Sequence, residues 1–369
     1  MKMNGTTRIG HKLVRNKTLA IGVALFTILI WSVISSACTN TVEHNMTDTT
    51  IEESSKTETR IPSLDTRTPR TYTLKLIEIG SSSEKLLAVS GDIWVLKPGE
   101  LIKVEAEGSY EQQGFEISPS IGGDDMVFDG QTLWITSNLP AEPSTLTEFD
   151  PLCYCIIGQY LIEGSTSSIT YGANSIWLSV SDILEGRATY HVMRFDRTTK
   201  SIVDSIELES YSQKIGFADD KLWVISSMDN EVSIYDGDDG SLIAKYTTGK
   251  MPLDIAFDDT KTWIVNRDDI FVTLIPFTLP ESPNLLQVNC PTFPNCNLSG
   301  IKINHDFGVW VYSAMAERVY QLDPESGNIL EQYEVREPVD LAFNGTGIWV
   351  INGDRSRNDR GYTLTRIQP

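Results

Sequence analysis

Residues 214–266 read KIGFADDKLWVISSMDNEVSIYDGDDGSLIAKYTTGKMPLDIAFDDTKTWIVN, and they say nearly the same thing twice. The stretch GFADDKLWVIS at 216–226 returns as AFDDTKTWIVN at 256–266, forty residues later. In each copy an aromatic residue stands six positions before a Trp, with an acidic turn between them and β-formers on both sides. Working outward, the same Trp recurs as Trp94, Trp134, Trp177, Trp223, Trp263, Trp310 and Trp349, which is every Trp in the chain except Trp31. The spacings are 40, 43, 46, 40, 47 and 39 residues. That is the period of a four-stranded propeller blade. The expected fold is therefore all-β: a seven-bladed β-propeller of four-stranded antiparallel blades over residues 71–369.

Within a repeat the strands can be assigned from their neighbours. Each Trp lies in a short apolar run such as DIWVL, TLWITS or KLWVIS. Alternation is weak in these runs because a blade is covered on both faces, so consecutive residues must be apolar. These runs are taken as the second strand, b. The aromatics six positions earlier, Phe128, Tyr171, Phe217, Phe257 and Phe343, belong to the inner strand, a, with Ala88 and Asn304 in their place in the first and sixth repeats. Aromatic and Trp are read as core packing between strands rather than as a binding box. A third run, c, often ends in Asp and a turn: FDPL, FDRTTK, YDGDDG and LDPESG. Asp150, Asp196, Asp236 and Asp323 supply side-chain acceptors there, and Gly240 and Gly327 a positive φ. The DGDDG at 236–240 lacks the alternating ligands and distant bidentate Glu of an EF-hand, so it is read as a turn and not as a calcium loop.

A strand count predicts how the ring closes. The last repeat offers LAF, IWVIN and YTLTRIQP, one strand short, whereas the first is preceded by TYTLKLIEI at 71–79, one strand too many. The N-terminal strand is expected to complete the seventh blade from the other side, leaving no open edge between the chain ends.

Ahead of the repeats, Lys2, Arg8, Lys12, Arg15 and Lys17 precede an apolar run at 19–33 and then SSAC at 35–38. This is the layout of an export signal, and the run is short for a bilayer core that needs ~20 residues. The ending resembles the lipobox of bacterial lipoproteins, with Cys38 as the residue to be lipidated. Ser35 departs from the usual branched aliphatic, so cleavage after Ala37 or an uncleaved anchor are the alternatives. All three put the rest of the chain outside the cytoplasm. Residues 39–70 hold scarcely any large apolar side chains and are read as a disordered tether between the signal at 1–38 and the propeller.

The formal net charge is −20, and without the five basic residues of 1–38 it becomes −25, from 25 basic and 50 acidic residues. No local basic patch offsets this, so nucleic acid is not an expected partner.

The units at 221–259 and 308–354 look like the YVTN-type repeats also seen in streptogramin-lyase-like propellers. The likeness is good over 216–366 and loose over 71–206. It implies a seven-bladed propeller outside the cytoplasm, and it does not imply one activity, because such propellers include enzymes and binding proteins alike.

Five Cys become four if Cys38 is lipidated, the even number an oxidising compartment would use. Cys290 and Cys296, in NCPTFPNC, are expected to pair. Cys153 and Cys155, in LCYC, leave three readings: a tight local disulfide, which is preferred, two thiols, or half of a metal site without partners.

Beyond the tether only His191 and His305 remain, one in a strand and one in the turn between a and b. This counts against the histidine-dependent lyase of the resembled family and against a Ser-His-Asp triad. No G-x-S-x-G, HExxH, phosphate loop or dinucleotide fingerprint occurs, and no catalytic residue is assigned. A carboxylate-only metal site of the lactonase kind is the enzyme alternative. The candidate ligand-binding residues are Asp125, Asp254 and Asp340, at the starts of three inner strands in GDDMVF, PLDIAF and PVDLAF. Around them fall the b-to-c loops with Asp182, Asp229, Arg267, Asp268 and Arg318, and the charged segment at 352–361 with Arg355, Arg357 and Arg360. One reading makes the three Asp residues caps on exposed backbone donors. The other makes them a ring that holds calcium or a polyhydroxylated or cationic ligand. The expectation is a monomeric, membrane-tethered binding module for an extracytoplasmic protein, peptide or carbohydrate.

Overall fold

The computed structural model describes residues 75–81, 85–120, 122, 124–140, 142–184, 186–290, 296–353 and 361–368. The signal at 1–38 with Cys38, the tether at 39–70, and Arg355, Arg357 and Arg360 lie outside the described residues. Seven four-stranded antiparallel sheets follow one another around a ring, spanning 85–116, 126–162, 165–208, 214–247, 252–287, 300–334 and 338–367, the last with a strand from the N-terminal side. The protein is a seven-bladed β-propeller, as the repeat requires.

Closure follows the strand count. Strand Lys75–Ser81 pairs antiparallel with Gly361–Ile367, from Lys75 opposite Arg366 to Ser81 opposite Gly361, and forms the outer strand of the seventh blade. Its Ile77 and Ile79 are buried with Trp349, Ile351 and Leu364 of the last blade and with Leu86, Ile93 and Val95 of the first. One strand thus joins the chain's beginning to its end by hydrogen bonds and by apolar burial.

The core sits between blades. All seven repeat Trp residues are fully buried, and each packs toward the next blade. Trp94 meets Phe149 of the second blade with centroids 5.7 Å apart, Trp134 meets Phe195 of the third at 5.6 Å, and Trp223 meets Phe277 of the fifth at 6.1 Å. The aromatic six positions before a Trp also works across this boundary: Phe217 stacks on Trp177 and Phe257 lies against Trp223, each in the preceding blade. The sequence pairs these residues as neighbours within a repeat, whereas wedge-shaped blades bring the inner-strand aromatic of one against strand b of the one before. Gly216 makes room for this, since a Cβ there would lie 2.6 Å from the Phe257 ring. The acidic turn between a and b also holds the Trp. Asp129 accepts from the Trp134 indole N–H at 2.6 Å and Asp258 from that of Trp263 at 2.6 Å, while both cap backbone amides of their own turns.

The c-to-d turns behave as read. Asp196 accepts the amides of Thr198 and Thr199, and Asp323 those of Glu325 and Ser326. Gly240 and Gly327 have φ of +70° and +68°. Both expected disulfides are present, Cys153–Cys155 and Cys290–Cys296, which decides among the three readings of LCYC. The first clasps a hairpin whose Tyr154 reaches back to the first blade, where it stacks on Phe115 at 5.5 Å and takes a hydrogen bond from Lys103 at 3.1 Å.

Candidate functional site at the channel mouth

Antiparallel blades sort their loops onto two faces. Inner strands begin, and b-to-c loops turn, on what we call the upper face; the a-to-b and c-to-d hairpins lie on the lower face. Register aligns the residue two steps before the partner of each Trp on strand a. This position holds Lys85, Ser168, Lys214, Asp254, Gly300 and Asp340, opposite Leu96, Ser179, Ile225, Val265, Tyr312 and Ile351 respectively. Asp125 occupies it in the second blade, where its carbonyl accepts from the Thr136 amide. Seven side-chain positions therefore form one ring around the channel where the inner strands begin.

The three carboxylates are buried, 4%, 7% and 1% exposed for Asp125, Asp254 and Asp340. Each reaches across a blade boundary. Asp125 accepts from the Ser168 hydroxyl at 3.2 Å and the Ile169 amide at 3.4 Å of the third blade. Asp254 accepts from the Ile301 amide of the sixth at 3.1 Å, and Asp340 from the Leu86 amide of the first at 2.9 Å. Ser168 continues the pattern, its hydroxyl taking the Ile215 amide of the fourth blade at 3.3 Å. Acceptors on the second, third, fifth and seventh blades thus tie each to its successor. Asp125 and Asp254 also cap the amides of Met126 and Ile255, the next residues of their own strands.

Lysines fill two of the remaining places, Lys85 and Lys214, and Lys302 joins them from two residues beyond Gly300. Lys214 Nζ lies 2.9 Å from Asp125 Oδ2, Lys85 Nζ 3.7 Å from Asp125 Oδ1, and Lys302 Nζ 3.2 Å from Asp340 Oδ1. Three ammonium groups accordingly interleave with three carboxylates. Burial would raise the Asp125 carboxyl, yet Lys214, Lys85 and the Ile169 amide hold it well below the usual carboxylate range. Asp340 is lowered in the same way, against burial, by Lys302 and Lys85. Burial also works against the Lys85 ammonium, and Asp125, Asp340 and Asp254 together push it up. Lys214 goes the other way: burial lowers it, and Asp125 only partly offsets this beside Lys85 and Lys302.

Reasoning from sequence found the aspartates and missed the lysines. Lys85 and Lys214 stand nine residues before Trp94 and Trp223, as Asp125, Asp254 and Asp340 do before theirs, so alignment on Trp would have exposed them. Lys302 was hidden because the a-to-b turn of the sixth blade is one residue longer, which puts Lys302 directly opposite Trp310. Gly300 leaves the ring position of that blade open, and the Tyr312 hydroxyl occupies the space that a Cβ on Gly300 would take.

The outer candidates do not converge on the ring. Arg267 pairs with its neighbour Asp268 at 2.9 Å, Arg318 with Glu334 at 2.7 Å, and Asp229 accepts from the hydroxyls of Ser210 and Ser226. Asp182 caps the amide of Ile183 at 2.6 Å. His191 is half-buried in strand c of the third blade, and His305 is exposed in a lower-face turn. Among the described residues, no three His, Cys, Asp or Glu side chains are grouped so as to hold a metal ion.

Apolar exposure is uneven. On the upper face Leu139, Ile183, Leu184, Tyr211, Met228 and Met315 are exposed at loop tips of four blades and the links between them; on the lower face Leu152 and Tyr154 are, and nine more exposed apolar residues, Ile156 and Leu330 among them, lie along the outer strands of the second to sixth blades. The hairpin of the third blade extends past its inner strand, because Asp182, Ile183 and Leu184 pair only with Thr189, Ala188 and Arg187 beyond the end of the inner strand's pairing. Tyr190 and Tyr211 brace its base edge to face, 6.1 Å apart.

No protein-family model and no curated protein matches this sequence. Solved structures do match. Virginiamycin B lyase from Staphylococcus aureus superposes with a TM-score of 0.63 at 15% identity, covering 80% of this chain and 100% of that one. A catalytically inactive histidine-to-alanine form of the same lyase with quinupristin gives 0.60 at 16% identity, over 80% and 99%. The WD40 domain of Neurospora crassa Pan2 gives 0.59 at 8% identity, over 78% and 89%. The likeness is one of fold. An enzyme and a WD40 domain share it, so activity has to be argued from the site.

Proposed function

We propose that the protein is an extracytoplasmic binding module of YVTN-repeat type, tethered to a membrane through a lipidated Cys38, whose upper face engages a partner protein or peptide. The observation that carries this reading is the arrangement of that face: exposed apolar loop tips of four blades border a channel mouth whose carboxylates are already engaged by lysines and by amides of the next blade. Exposed apolar loop tips beside a channel mouth suit an interaction surface. Two disulfides support an oxidising compartment. The Staphylococcus aureus lyase loses its catalysis with one histidine, whereas the two described histidines here lie away from the channel.

The test is positional. Photo-crosslinkers at Leu184 and Met315 on the upper face and at Glu325 on the lower face are to be compared in intact envelopes. One partner captured from both upper positions and not from Glu325 supports the reading. Equal capture from both faces would overturn it, and a stoichiometric divalent ion in the purified protein together with hydrolytic or lyase turnover would replace it with the enzyme reading.

A further inference from the structure

The channel mouth holds more donors than acceptors. Three ammonium groups bring nine N–H bonds. The described ion pairs occupy three of these directions, on Asp125 and Asp340. The same carboxylates also receive the backbone amides of Met126, Ile169 and Leu86, and each oxygen of Asp254 accepts one amide, from Ile255 and from Ile301. Lysine side chains at the mouth remain 17–30% exposed, which means that the channel reaches them. A second observation points the same way. Tyr312 is 4% exposed, and its hydroxyl stands over Gly300 at the ring. A phenol hydroxyl there can donate to an acceptor that enters the channel.

We infer that the channel mouth is a binding site for a single carboxylate group, held by Lys85, Lys214 and Lys302 and by the Tyr312 hydroxyl. Lysine and aspartate balance in the ring, and the amide dipoles directed at the three Asp residues tip the balance toward an anion. A monoanion suits the site better than a phosphate dianion because three carboxylates stand beside it. The inference rests on the reading that the upper face is the ligand face, and it names the chemistry that would enter at its centre. The carboxylate could belong to a small acid or to the C-terminus of a peptide.

The experiment titrates acetate into the purified full-length protein at constant ionic strength against chloride, following the acetate methyl line width by NMR. In parallel, one peptide is compared with a free and with an amidated C-terminus. Tyr312→Phe removes one hydroxyl and keeps the ring, and should fold; it is expected to weaken binding about fivefold, and Lys302→Gln about tenfold or more. Saturable acetate binding with these losses supports a small-acid site. Binding of the free-acid peptide alone, with the same losses, supports a peptide terminus. Absence of both, or binding untouched by Tyr312→Phe, overturns the inference, and partner capture from Leu184 in that case would leave the interaction reading standing.

Discussion

Asp340 and Leu86 are 254 residues apart in the chain and 2.9 Å apart in the ring, the carboxylate of the last blade accepting the amide of the first. The bond does for the inner edge of the closure what strand Lys75–Ser81 does for the outer edge. Asp340→Ala would leave the Leu86 N–H without its acceptor and Lys302 without its ion pair, and should cost about 3 kcal/mol. Asp340→Asn keeps an oxygen for Leu86 and should cost less than half as much. Denaturant unfolding of both variants measures the difference; equal losses would mean that the amide link contributes nothing beyond the charge.

Removing the closing strand is expected to be worse than removing its charge partners. A chain lacking residues 71–81 would expose the edge of strand Gly361–Ile367 and lose the burial of Ile77 and Ile79. It should melt lower and self-associate on size exclusion. A monomer with an unchanged melting temperature would show that the seventh blade holds without it.

Acid should loosen the ring in a definite window. Asp125 and Asp340 have folded-state values below the ordinary carboxylate range, by virtue of their lysines and amides. A depressed value contributes its full stability above about pH 4 and loses it as pH falls toward the folded value. Stability should therefore drop steeply below about pH 4, and Asp340→Asn should flatten that slope. Parallel slopes for wild type and variant across this range would contradict the coupling.

Reduction should act locally. Cys153→Ser with Cys155→Ser is expected to lower stability by roughly 2 kcal/mol, from loop entropy, and to release Tyr154 from Phe115. A tryptophan signal from Trp94, 6.4 Å from Tyr154, offers the readout. Loss of stability with no change at Trp94 would separate the crosslink from the aromatic contact.

How much of this was legible beforehand depends on the distance over which each feature is encoded. The seven Trp spacings, the Asp-capped turns and the odd N-terminal strand are written within single repeats or at the two ends, because strand pairing inside a blade is local and antiparallel. They determined fold, blade number and closure without coordinates. The partners of the aromatic residues were not legible, since Phe257 belongs by sequence to the inner strand of the repeat that holds Trp263 and by packing to Trp223 one blade earlier. The charge balance of the channel was also decided only in three dimensions. Lys85, Asp125, Lys214, Asp340 and Lys302 are scattered over more than two hundred residues, and a one-residue difference in a single turn sets where Lys302 stands. Closing the ring brings these groups within a few ångströms of one another in a buried channel, where opposite charges must pair; a chain read one repeat at a time shows aspartates, and only the closed propeller shows what neutralises them.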